Sequence, residues 1–105
     1  MTDKLISSLW KAIEKEGYYK EDILGKSRKR ELVNVRVALS QLFYYRLGFT
    51  QMQIAEILER GEHSLINHYV NHMDDRDNFE YKCITKALNK VVNKYEEHVN
   101  KFEYA

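Results

Sequence analysis

Proline is absent from the 105 residues and glycine occurs only four times. Proline removes a backbone donor and glycine carries the largest entropic cost in a helix, so a chain with so few of either has little to interrupt helical runs. The single cysteine, Cys83, excludes an internal disulfide and any CxxC metal or redox pair. It fits a reducing cytoplasm, with a buried small hydrophobe as the expected role. No apolar run approaches the ~18 residues of a membrane span. The opening "MTDKLISSLWKAIEKEG" carries acids within its apolar pattern and no small-residue cleavage site, so neither export nor insertion is expected. There is no Gly-rich phosphate loop, no GxSxG and no cysteine with a convincing base, which argues against an enzyme and against a bound cofactor. An excess of one charge is also missing: the formal net charge is +1, so this is not a globally basic chain.

What is present is a composition of 44% hydrophobic and 31% charged residues, typical of a folded domain. The length fits one small domain, residues 1–105, without room for a nucleotide-hydrolysing domain. Apolar residues recur at helical spacing nearly throughout, which predicts an all-α fold of about five helices. A first helix is expected from about Lys4 to Glu16, ended by Gly17. The connector "YYKEDILGKS" follows. A central helix runs from about Lys29 to Leu47, with Leu32, Val35, Leu39, Leu42, Phe43 and Arg46 along one side and Gly48 as its stop. "TQMQ" is a capping box that opens a short helix from Thr50 to Leu58. After "ERGE" a fourth helix opens around Glu62 or His63 and ends near Asp74. The capping pattern "DNFE" then opens a long last helix, about 78–103, whose stripe is Ile84, Ala87, Leu88, Val91, Tyr95, Val99 and Phe102. Residues of about 4–75 make the core, and the arrangement short helix, turn with glycine, helix reads as a helix-turn-helix.

Two stretches carry the chemistry. "KSRKRELVNVR", Lys26 to Arg36, holds five basic residues against one acid. Lys26, Arg28, Lys29 and Arg30 crowd the start of a helix, where the macrodipole disfavours cations, and an anionic partner such as a phosphate backbone would compensate. A solvated charged corner is the plain alternative. The second stretch is "ERGEHSLINHY", where an apolar period (Leu65, Ile66, Tyr69, Val70, Met73) faces a row of His63, Ser64, Asn67, His68 and Asn71. Solvated helix faces usually carry Lys and Glu. Short directional donors and acceptors suit base edges in the major groove, read chiefly by the first turn, here Glu62, His63 and Ser64. Simple N-capping above a water-facing helix is the competing reading. His68 and His72 are four apart, but without the Glu of a zincin or a third ligand at fitting spacing no metal site is expected. The acidic "DDRDN" lacks the Gly and closing Glu of a calcium loop. Phe43, Phe49, Tyr69 and Phe102 fall on apolar stripes and read as core rather than as a base-stacking platform.

"EDILGKSRKRELVNVRVAL" followed by "IAEILERGEHSLINHY" resembles the C-terminal DNA-binding domain of the bacterial replication initiator DnaA. In that family an acidic pair and two apolar residues precede a basic loop and a long helix, and the signature Gly-Arg-Asp-His-Thr-Thr precedes an apolar residue and another His. The match covers most of the chain. The resemblance implies a DnaA C-terminal-domain-like, Trp-repressor-like fold that binds double-stranded DNA. It places Arg28 in the minor groove, with Lys26, Arg30 and Arg36 holding phosphates or the groove edge. It turns Glu62, His63 and Ser64 toward bases in the major groove and aligns His68 with the second His. Gly61 stands where the signature has Arg and Leu65 where it has a second Thr, which removes a charged contact and a hydroxyl. The family's ATPase is missing, so the implied role is an accessory factor or regulator of replication or transcription. The rival expectation is an interaction module that has lost DNA binding, using the stripe from Ile84 to Phe102 to bury against a second copy. RNA binding lacks a strand platform.

Overall fold

The computed structural model describes residues 2–61, 63–71 and 79–104, with side chains described for 3–61, 64–71 and 81–97. The chain is all-helical, with no strand among the described residues. The helices are α1 (Thr2–Lys15), α2 (Lys20–Leu24), α3 (Arg30–Gln41), α4 (Gln51–Ile57), α5 (His63–Asn71) and α6 (Phe79–Tyr104), and a π-helical turn, Leu42–Arg46, extends α3. No described helix is long and apolar enough to cross a membrane.

Local chemistry explains most boundaries. Gly17, at φ +97, reverses the chain after α1 while the Tyr18 and Gly17 amides donate to the carbonyls of Ile13 and Glu14, at 3.2 and 3.0 Å. That is the Schellman pattern, which satisfies carbonyls left over at a helix end. At the start of α4 the capping box is complete: the Gln53 amide donates to Thr50 Oγ1 at 3.2 Å and the Thr50 amide to Gln53 Oε1 at 2.9 Å. Two elements depart from the sequence expectation. The stretch read as a connector contains α2, too short to persist alone; its Ile23 is fully buried. The central helix does not continue regularly to Leu47 but widens at Leu42, where the Leu47 amide donates back five residues to the Leu42 carbonyl at 3.1 Å. Such a widening re-aims the side chains that follow. Arg46, expected on the inward side, instead reaches α6, bonding Asn89 and Asn93 and lying 3.4 Å from Glu96.

α3 is the hub, packed by α2, α5 and α6 and buried on nearly every side. Leu9 and Ile13 of α1 and Ile84, Leu88 and Val92 of α6 complete the core. Each such side chain contributes about 1.5 to 3 kcal/mol of apolar burial. Phe43 stacks on Phe49 with ring centroids 5.4 Å apart, which Gly48 permits by turning at φ +71. Of the α6 stripe that suggested a second copy, Ile84 and Leu88 enter the core with Val92 beside them, while Ala87, Val91 and Tyr95 stay half-buried. The side chains of Val99 and Phe102, the expected end of the fourth helix at Asp74 and the cap at Asp77 lie outside the described residues.

The cap and the turn after α4 make opposite predictions for stability. Thr50→Ala should cost about 1 kcal/mol by urea denaturation. Glu59, at φ +54, occupies a conformation that costs a non-glycine residue about 1 kcal/mol, so Glu59→Gly should raise stability by a similar amount. A neutral Thr50→Ala or a destabilising Glu59→Gly would contradict these geometries.

Candidate nucleic-acid interface

Between α2 and α3 the chain runs Gly25 to Lys29 without regular structure. Lys26, Arg28, Lys29 and Arg30 are all exposed there. Lys26, Arg28 and Lys29 make no ion pair among the described residues. The loop is held from below. Arg36, only 2% exposed, donates from Nε to the Ile23 carbonyl at 2.7 Å and from Nη1 to the Ser27 carbonyl at 2.6 Å. Its Nη2 reaches the carbonyls of Asp22 and Gly25 at 3.1 and 3.0 Å. These acceptors include the free carbonyls at the negative end of α2, so one guanidinium caps the short helix and fixes the loop after it. Within the loop, the Lys29 amide donates to Ser27 Oγ at 3.3 Å, which shapes the entry to α3.

Arg36 is therefore a correction to the sequence reading. It cannot hold a phosphate or a groove edge, because its planar donors are already committed to backbone carbonyls inside the protein. Its pKa lies below the usual arginine value, first because of burial and second because Arg60 is close, with Tyr69 beside it acting in the opposite direction.

Arg60 is the residue that sequence reasoning missed. Its Nη2 donates to the same carbonyls, Gly25 at 2.6 Å and Ile23 at 3.2 Å. It reaches them because α4 closes with the Arg60 amide on Ala55 and the Glu59 amide on Glu56, a second Schellman pattern. The left-handed residue is Glu59 rather than Gly61. Gly61 has an ordinary φ, and a Cβ there would meet open space. Nothing in the residue order separates an arginine turned inward from one turned to solvent. Arg60 thereby ties the turn that opens α5 to the base of the basic loop.

α5 packs against α3 and α4 through buried Ile66, Tyr69 and Val70, leaving Leu65 37% exposed. Its polar row divides in two. Asn67 Oδ1 accepts from Gln51 Nε2 at 3.0 Å and from Asn71 Nδ2 at 2.6 Å, so Asn67 serves the contact with α4 and Asn71 bonds it along α5. Ser64 and His68, one turn apart, are exposed on the outer face. The carbonyls at the end of α5 are closed by Gln41 Nε2 on Tyr69 at 3.1 Å and by the Tyr45 hydroxyl on Val70 at 3.2 Å. Glu62 and the side chain of His63 lie outside the described residues, as does His72, the other half of the histidine pair. Among the described residues no three His, Cys, Asp or Glu side chains gather as metal ligands.

Comparison with family models, with curated proteins and with solved structures gave no match for this chain.

Arg36→Met should destabilise the domain by about 3 kcal/mol, since it strands buried carbonyls that a charged donor had satisfied. Arg36→Lys should recover little, because an ammonium lacks the planar fork. Denaturation together with amide exchange across residues 25–29 checks this. Unchanged stability with weakened binding to anions would restore the phosphate-holding role.

Proposed function

We propose that this chain binds double-stranded DNA, with the loop Lys26 to Arg30 against the backbone and minor groove and the first turns of α5 in the major groove. The observation that supports this most directly is the double clamp of Arg36 and Arg60 on the loop's base. It couples an exposed basic loop to the turn after α4, which supports a reading in which the loop meets the backbone and α5 meets the bases as one unit. Phosphate contacts set register and base contacts set specificity, and a rigid relation between the two is what a sequence reader needs. The positive charges at the start of α3 are unfavourable beside its macrodipole, and a phosphate would relieve them.

In this reading Lys26, Arg28 and Arg30 contact the backbone or minor groove. Glu62, His63 and Ser64 face base edges, and His68 extends the same face. Arg36 and Arg60 act as positioning residues. The likeness of "EDILGKSRKRELVNVRVAL" and "GEHSLINHY" to the DNA-binding domain of DnaA agrees with this assignment and favours an accessory factor or regulator of replication or transcription in the cytoplasm. Within the α6 stripe, Ile84 and Leu88 are buried in the domain, and Ala87, Val91 and Tyr95 are the half-buried part that a second copy would cover.

Selection from a random duplex library, followed by titration over salt, tests the proposal. Arg28→Ala should weaken all sites alike and flatten the dependence of log K on log salt by about 0.9. Gly61→Arg, placed where a side chain meets open space, should steepen it by a similar amount. His63→Ala should reduce discrimination by about 1 to 3 kcal/mol while leaving the salt slope unchanged. Absence of any enriched motif in the unsubstituted protein would remove the major-groove assignment.

A further inference from the structure

On another part of the surface, α1 and α6 enclose an open groove of about 740 Å³. Its floor is apolar, formed by Leu5, Ala12, Ala87, Val91 and Tyr95, of which only Leu5 is fully buried. Its rims are basic: Lys4, Lys11 and Lys15 project from α1 and Lys86, Lys90 and Lys94 from α6. All six lysines are exposed, and none makes an ion pair among the described residues. Glu16 is the one acid in the lining. In a chain of net charge +1, six unpaired cations around one groove are a concentration that the fold does not require. None of the groove residues belongs to the loop after α2 or to α5.

We propose that this groove docks an acidic amphipathic helix of a partner protein. Sequence spacing supports the geometry. Lys86, Lys90 and Lys94 fall at every fourth residue beside Ala87, Val91 and Tyr95, so charge and apolar surface run as parallel stripes along α6. On α1, Lys4 to Lys15 covers about 16 Å, roughly three turns. A helix with apolar residues at i, i+4, i+7 and i+11 matches that length, and Glu or Asp on both flanks would meet the two rims. Small residues in the floor, Ala12 and Ala87, leave depth for branched side chains. Duplex DNA would use the rims but not the apolar floor. A lipid surface favours a protruding apolar face over a recessed one.

The test uses the full chain and a helical peptide of about 18 residues, with Leu at i, i+4, i+7 and i+11 and Glu on both flanks, followed by NMR. Amide shifts confined to α1 and α6 are expected. Binding should fall about tenfold with Lys90→Glu/Lys94→Glu, two exposed sites that leave the core intact, and about as much when the peptide's Glu are replaced by Gln. Equal binding of a scrambled peptide would reduce the groove to a charge effect and overturn the proposal. So would binding of phosphatidylglycerol vesicles in place of the peptide, the same α1 and α6 shifts with duplex DNA, or no binding at all. Loss of DNA binding in Arg28→Ala with peptide binding retained would separate this surface from the DNA reading.

Discussion

The Arg36 guanidinium lies at the corner between α2 and α3 and donates to four backbone carbonyls, those of Asp22, Ile23, Gly25 and Ser27. A five-residue helix has too few internal hydrogen bonds to persist by itself, and its last carbonyls would be buried without partners. One planar cation with several fixed donors solves both problems. The acceptors are dipoles rather than a carboxylate, so the positive charge is stabilised without being cancelled. The basic loop above it consequently has a fixed base while its own side chains remain in solvent.

Arg60 adds a second cation to the same carbonyls, and the mutual repulsion is part of why Arg36 titrates below its usual range. Proximity of like charges is tolerable here because Ile23 and Gly25 each offer a carbonyl with two lone pairs. The gain is geometric. A left-handed Glu59 directs Arg60 inward, and the turn that launches α5 becomes fastened to the loop. Strain of about 1 kcal/mol in one residue is thereby exchanged for a fixed relation between two exposed elements.

The polar row on α5 illustrates how a uniform pattern can conceal two jobs. Asn67 closes a contact with α4 and takes a bond from Asn71, whereas Ser64 and His68 are exposed. The long stripe of α6 divides in a similar way. Ile84, Leu88 and Val92 enter the core, while Ala87, Val91 and Tyr95, a quarter-turn away, floor a groove edged with lysine. Both divisions depend on which neighbouring helix arrives at each face.

The all-helical class, the capping box at Thr50, the stops at Gly17 and Gly48 and most helix ends were legible in the residue order. They rest on local physics: hydrogen bonds within a few residues, glycine's access to positive φ and the 3.6-residue period of burial. The basic loop was legible as charge density, and it stands exposed as the pattern required. Tertiary structure decided the rest. α2 exists because Ile23 is buried and distant guanidiniums close its end, neither of which its own five residues can supply. The π turn at Leu42 redirects Arg46 to α6 in a way that no regular helical count anticipates. Arg28 and Arg36 look alike in sequence, but one ends in solvent and the other inside, because an arginine's role is set by whether carbonyls or water surround it, and only the packed fold determines that.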